Sequence, residues 1–326
     1  MSKYHFLEPN ELVVLLTPYV TYNIKYHIMW HKGVNEMSMR FDLGIFGGDQ
    51  RQVYMAERFC NMGYRVYTYK IKEPVLHSNC TSLDTPEELF THCNVLIGPI
   101  PLTRDLVSIA STNTMDLNTS MLANSLTKKH ILIAGILPET IVSQCEKKGI
   151  PFYDLMKDEK ITILNAIATA EGSIMEAIKD SPINLHGNNS LILGYGRCAK
   201  VLADKLKGLD ANVIIAARSS EALAYAEAAG LKTILLSEIR SILPSCPFIF
   251  NTIPALILDQ SMLSHVPKDV TIIDIASAPG GIDYEYALKH NLRAKLCLGL
   301  PGKVSPRSSA DILVTEIDLF IKERSD

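Results

Sequence analysis

SLILGYGRCAKVLADKLKGLD, residues 190–210, is the stretch that decides the fold. Three apolar residues, Leu191 to Leu193, run into a GxGxxA pattern, and an amphipathic segment follows at once. In that order the residues read as a strand, a tight turn and a helix. Gly194 permits the turn, Gly196 lets a pyrophosphate approach the backbone, and Ala199 allows the helix to pack closely on the strand. The first N–H groups of such a helix have no partner inside it and carry its positive dipole end, which suits a phosphate. A structural glycine turn is the plain alternative.

The pattern repeats on both sides of this unit. Downstream, NVIIAARSS (212–220), FIFNTIP (248–254), VTIIDIAS (270–277) and AKLCLGLPG (294–302) read as strands, with EALAYAEAAG (221–230) as an intervening helix. Upstream, FDLGIFGG (41–48) is a strand and glycine turn, QVYMAERFCNMG (52–63) a helix and RVYTYK (65–70) a second strand. NVLIGPIP (94–101) and HILIAGIL (130–137) are continuous apolar runs, as expected for parallel strands covered on both faces. The chain is therefore expected to be α/β, with two doubly wound parallel-sheet domains. The first, residues 41–180, is a flavodoxin-like substrate or catalytic domain; the second, 181–304, is a Rossmann dinucleotide-binding domain.

Residues 161–180 read as a strand that becomes a helix from Thr169 to Lys179 and stops at Ser181-Pro182. Residues 305–326 read as a C-terminal helix that caps the second domain or returns to the first. Residues 1–40, with Tyr19, Tyr22, Tyr26, Trp30 and His31, show no clean period. They are expected to be an N-terminal extension, a misassigned upstream start or an amphipathic helix packed on the domain.

Composition narrows the function. The 326 residues are 47% hydrophobic and 21% charged, which is the balance of an ordered globular chain. Lys and Arg total 32 against 35 for Asp and Glu, a formal net charge of −3, so no broad basic field exists for nucleic acid or an anionic membrane. The most apolar early run, 12–20, is too short to cross a bilayer. Seven scattered cysteines without a CxxC pair point to reduced thiols in the cytoplasm rather than to disulfides or structural zinc. No HExxH, GxSxG or P-loop sequence is present, and no metal ligand set is expected.

The strand ends carry the candidate chemistry. The strand at 212–217 ends in Arg218, Ser219 and Ser220, where NAD-selective sites place an acid; a guanidinium and hydroxyls suit the 2′-phosphate of NADP, with NAD as the alternative. A surface Arg and a helix-capping Ser would give the same residues. In GGDQRQ (47–52), Arg51 offers a bidentate clamp for a carboxylate, and Asp49 is either a helix N-cap or a polar catalytic group. Thr169 and Glu171 fall at the expected junction between domains, as cleft residues or as a helix N-cap and first-turn acid. Lys303, Ser305 and Arg307 lie in GLPGKVSPR (299–307), as cleft cations or solvated ones.

In chain order GGDQRQ, NAIATAEGSIMEAI, LHG, LGYGR, AARSS, NTIP, DIASAPGG and GLPGKVSP resemble the A-subunit family of dipicolinate synthase over residues 41–322. The resemblance implies the 2-hydroxyacid dehydrogenase architecture. It also implies NADP- or NAD-dependent oxidation of a dihydrodipicolinate-type cyclic imine to dipicolinate, in the diaminopimelate-lysine branch. The implied setting is the mother-cell cytoplasm of a sporulating bacterium, with the flavoprotein-like B subunit of dipicolinate synthase as partner, and self-association of the chain itself.

The implied cofactor residues are Gly194, Gly196, Arg197, Ala199, Arg218 and Ser219, with Thr252, Pro254 and Ser277 beside the nicotinamide. The implied substrate region holds Asp49, Arg51, Thr169, Glu171, Gly280, Gly281 and Lys303. Ala278 stands where that family commonly has a basic residue, and Lys303 is expected to compensate. The Arg and His that serve His-dependent hydroxyacid dehydrogenases are missing from DIASAPGG and GLPGKVSP. Arg51 and Lys303 are thus the expected clamps for a dicarboxylate and Glu171 the expected base. Two other readings stay open: a non-catalytic NADP-binding protein that positions its partner, and an oxidoreductase for another imino or amino dicarboxylate.

Overall fold

The computed structural model describes residues 41–110 and 116–324, so the expectations for residues 1–40 lie outside the described residues. In the first half β1 (Asp42–Phe46), β2 (Arg65–Tyr69), β3 (Cys80–Ser82), β4 (Val95–Ile97), β5 (Ile131–Ala134) and β6 (Phe152–Asp154) form one parallel sheet in the order β3-β2-β1-β4-β5-β6. With the short edge strand β3 set aside, this is the strand order of a flavodoxin-type sheet, and its switch point lies between β1 and β4. In the second half β7 (Asn189–Leu193), β8 (Asn212–Ala217), β9 (Lys232–Leu235), β10 (Phe248–Asn251), β11 (Thr271–Asp274) and β12 (Arg293–Leu296) follow the order β12-β11-β10-β7-β8-β9, also parallel. That is the Rossmann order, with the switch point between β7 and β10.

Helices cover both faces of each sheet, which is why the central strands are apolar throughout rather than alternating. Leu43, Ile45 and Phe46 in β1, and Leu191, Ile192 and Leu193 in β7, are fully buried. Each sheet has a core cluster on each face.

The connection between the halves departs from its expected form. Residues 161–180 are not a strand followed by a helix: one continuous helix runs Glu159–Asp180, about 33 Å long. Asp158 caps it by accepting from the Ile161 N–H at 2.9 Å, and Tyr153 donates to the same carboxylate at 2.7 Å. Of the strand-like run at its start only Ile161 enters a core and Ile163 is exposed, but the helix as a whole serves two cores. Ile161 packs into the first domain, whereas Ala170, Ile174 and Ala177 pack into the second. The helix is thus shared by the two cores, its first turn with the first and its later turns with the second. By length and composition the helix could cross a membrane, but half of its apolar window is buried in the protein.

The C-terminal helix Pro306–Lys322 returns to the first domain. Leu313, Val314, Ile317 and Ile321 join the β1 core, each contributing roughly 1.5–3 kcal/mol of burial. Polar contacts set its register against the turn after helix Gln50–Asn61 and against the connecting helix. Tyr64 donates to Asp318 at 2.6 Å, and Lys160 pairs with Glu316 at 2.6 Å.

Candidate functional site

The head of β7 is built as a phosphate turn. Gly194 has φ +97°, and a Cβ there would stand 2.5 Å from Thr252 Oγ1. The Thr252 hydroxyl donates to the Leu193 carbonyl at 2.8 Å and so lies across the turn. Gly196 is the N-cap of helix Arg197–Gly208 with no side-chain cap, and nothing lies within 4 Å of where its Cβ would be. Uncapped N–H groups beside open space fit the pyrophosphate of a dinucleotide. Ala199 is fully buried and lets the helix pack on the sheet.

Arg218 is exposed just past β8 and makes no hydrogen bond or ion pair among the described residues. Ser219 caps the next helix, accepting from Ala222 N–H at 3.3 Å, so the capping alternative is the one realised for its side chain. The ends of β10 and β11 are tied together. Asn251 donates to Asp274 Oδ1 at 3.0 Å; the same carboxylate accepts from Ala276 and Gly281 N–H and from Tyr284 OH at 2.7–2.9 Å. This buried network holds the loops that present Thr252, Pro254 and Ser277 at the strand edge, with Pro254 and Ser277 exposed.

The first-domain turn differs from its expected role. Asp49 is the N-cap of helix Gln50–Asn61 in a full capping box with Gln52. Arg51 is almost wholly buried and spends its guanidinium on Asp49, through Nε at 2.9 Å and Nη2 at 2.8 Å, and on the Ile100 carbonyl at 2.8 Å. It therefore does not stand free as a carboxylate clamp. Burial pushes the Asp49 carboxyl up, but the hydrogen bonds and charge of Arg51, joined by the charge of Lys72, outweigh it and hold the group below its usual range. Asp49 Oδ2 abuts Gly302, where a Cβ would stand 2.2 Å away, so GLPGK leans on this turn from the second half of the chain.

Three further expectations are corrected. Thr169 is not a cap: it lies inside the connecting helix, half-buried, and its hydroxyl donates to the Asn165 carbonyl at 3.2 Å. Glu171 pairs with Lys205 Nζ at 2.8 Å, and Lys205 lies eight residues, roughly 12 Å, beyond Arg197 along its helix. Glu171 thus sits away from the glycine turn and is not positioned as the base. Lys303 is exposed, and its charge bears on Glu176 and Cys297, whereas the lysine acting on Asp49 is Lys72. The Arg51–Lys303 pair of clamps does not form.

Sequence reasoning missed Lys72 and Arg104. Both are exposed and follow β2 and β4, the two strands that flank β1. The Arg104 loop is pinned by Asp105, which accepts from the N–H groups of Val107 and Ser108 and from the Thr103 hydroxyl. Those bonds hold the Asp105 carboxyl well below its usual range. For Lys72 the one signal available was position just past a strand end, which becomes informative once strand order is known. Glu159 and Thr162 were also missed: both accept from Arg197 Nη1, at 2.6 and 2.9 Å.

Comparison with known proteins agrees with this geometry. Residues 42–156 match the N-terminal domain of the dipicolinate synthase A subunit, and residues 163–297 match the NAD-binding domain of D-isomer specific 2-hydroxyacid dehydrogenases. The chain is 36% identical over 191 residues to the dipicolinate synthase A subunit of Bacillus subtilis (strain 168). That alignment covers 59% of this chain and 63% of the relative, so it spans less than two thirds of the relative's length. The crystal structure of the dipicolinate synthase A subunit from Bacillus halodurans is similar with a TM-score of 0.79 and 28% identity, covering 89% of this chain and 100% of that one. The corresponding crystal structure from Bacillus subtilis gives a TM-score of 0.76 and 27% identity, covering 88% and 98%. The two matches follow in chain order on two parallel sheets, so the chain is similar to dipicolinate synthase A subunits in its first half and to 2-hydroxyacid dehydrogenase NAD-binding domains in its second.

Proposed function

We propose that the chain oxidises a dihydrodipicolinate-type cyclic imine dicarboxylate to dipicolinate during sporulation, working beside the flavoprotein-like B subunit of dipicolinate synthase. The observation that carries this reading is the glycine turn of β7, open at Gly196 and uncapped, in a chain whose first half matches the A-subunit N-terminal domain. A nicotinamide dinucleotide would supply the acceptor for the hydride that leaves the ring. Gly194, Gly196, Arg197 and Ala199 would hold its pyrophosphate. Arg218 would hold a 2′-phosphate, so NADP is preferred to NAD, and Thr252, Pro254 and Ser277 would flank the nicotinamide.

Lys72 and Arg104 are the first-domain cations offered to the substrate carboxylates, at the strand ends where open α/β sheets bind ligands. Asp49, held ionised by Arg51, faces the same seam. Because the ring becomes aromatic, the departing proton needs no strong base and passes to Asp49 or to water.

One observation favours a second reading. The two carboxylates expected to do chemistry are both engaged, Glu171 by Lys205 and Asp49 by Arg51, as in a protein that binds NADP and positions a catalytic partner. The deciding experiment supplies the purified chain with the freshly generated product of a dihydrodipicolinate synthase and NADP or NAD, with and without the B subunit. Equal amounts of reduced cofactor and pyridine-2,6-dicarboxylate from the chain alone support the catalytic reading. Product that requires the B subunit assigns the chemistry to a shared or partner site. The mother-cell cytoplasm is the proposed location. Self-association is supported by a row of exposed apolar residues on the connecting helix, Ile163, Ile167, Met175 and Ile178.

A further inference from the structure

We infer that Glu159 is a built-in competitor of the cofactor: it occupies the Arg197 guanidinium that a bound pyrophosphate would take, and so sets the affinity of the glycine turn from the first domain's side. This rests on the dinucleotide reading above.

Arg197 is the first residue of the helix that Gly196 opens, which puts its guanidinium beside any phosphate received there. One nitrogen, Nη1, makes both of its contacts, to Glu159 Oε2 at 2.6 Å and to Thr162 Oγ1 at 2.9 Å. Nε and Nη2 donate to nothing among the described residues. Both acceptors lie in the first turn of the connecting helix, and Ile161 between them is embedded in the first-domain core. The pair therefore ties the phosphate turn to the other domain.

An anion reaching the turn meets an arginine whose charge is already neutralised by a carboxylate in contact with it. The arginine and glutamate side chains are 50% and 68% exposed, so the pair is screened by solvent and contributes little on its own. A pyrophosphate brings two negative charges and can take Nε and Nη2 together, the geometry in which Arg binds phosphate best. Thr162 is neutral, so it keeps Nη1 at the turn while Glu159 is displaced. Glu159 thus lowers affinity, and Thr162 is the pivot on which Arg197 changes partner.

The test measures binding of reduced NADP by its fluorescence in the full chain. Glu159→Gln keeps the shape and removes the charge, and it should tighten binding about twofold to fivefold, the range of an exposed ion pair. Arg197→Ala should weaken binding about tenfold, and Glu159→Gln should have no effect in that background. Arg197→Gln repeats this arm if the alanine variant melts early.

Weaker binding in Glu159→Gln would overturn the inference, because Glu159 would then be organising Arg197 for the phosphate. So would unchanged binding in Glu159→Gln beside a weakened Arg197→Ala, or equal tightening with and without Arg197. Failure of the unaltered chain to bind either dinucleotide overturns the cofactor reading itself, and it is seen before any variant is compared.

Discussion

Gly194 and Gly196 are two residues apart, yet alanine should damage them in opposite ways. At Gly194 the backbone has φ +97°, and forcing an L side chain into such a region costs about 1–3 kcal/mol. The new methyl would also stand 2.5 Å from Thr252 Oγ1, whose bond to the Leu193 carbonyl is worth about 1 kcal/mol and would be lost as Thr252 moved. Gly194→Ala should therefore destabilise the second domain by about 2–4 kcal/mol, a fall in melting temperature of roughly 5–15 °C. At Gly196 the backbone is extended, with φ −82°, and no atom stands near the added methyl. The stability cost is that of an N-cap change, under about 1 kcal/mol. That methyl points into the space the pyrophosphate needs, so binding of reduced NADP should fall at least about tenfold, or about 1.4 kcal/mol. Thermal melts and a fluorescence titration of both variants separate the two effects. Native affinity in Gly196→Ala refutes the assignment of this turn to the cofactor, and native melting in Gly194→Ala refutes the strain argument.

Arg218→Asp should invert cofactor preference, weakening NADP at least about tenfold relative to NAD by placing an acid against the 2′-phosphate; an unchanged ratio in paired titrations removes Arg218 from the site. Glu171→Gln should leave turnover within about twofold of the native value, because Glu171 is paired with Lys205 away from the turn; a loss of about a hundredfold would restore it as the base. Asp49→Ala leaves the buried Arg51 guanidinium with only the Ile100 carbonyl. It should cost about 2 kcal/mol, reduced from about 3–5 for a fully buried pair because Asp49 is partly exposed. Since the folded Asp49 carboxyl titrates below its unfolded value, its contribution is present above about pH 4 and is lost as pH falls through the lower folded value. Melting of the native chain should accordingly drop more steeply in acid than that of Asp49→Asn, and parallel curves would contradict that linkage.

The parts legible in the sequence are those governed by neighbours in the chain. The turn at residues 194–199 is a local object: apolar strand, two glycines, a small residue and a helix occur within about ten positions, and each has its own steric reason. Asp49 as an N-cap is equally local, since its partners are the N–H of Arg51 and the side chain of Gln52. That same locality engages Arg51, whose guanidinium folds back on the cap two residues away. ITIL at residues 161–164 misled because a short apolar β-branched run satisfies a strand as well as a helix by its pattern alone.

Apolar runs, glycine turns and a capped helix start determine from sequence alone that this chain forms two parallel α/β halves with a dinucleotide turn in the second, because strand, turn and helix are set by contacts within a few residues. Tertiary structure alone decided which charged groups share the seam. Lys72 bears on Asp49 because β2 lies beside β1, and Arg197 reaches Glu159 across 38 residues because one helix is built into both cores. A side chain's partner across a fold depends on strand order and helix packing, and neither is written in the spacing of the residues themselves.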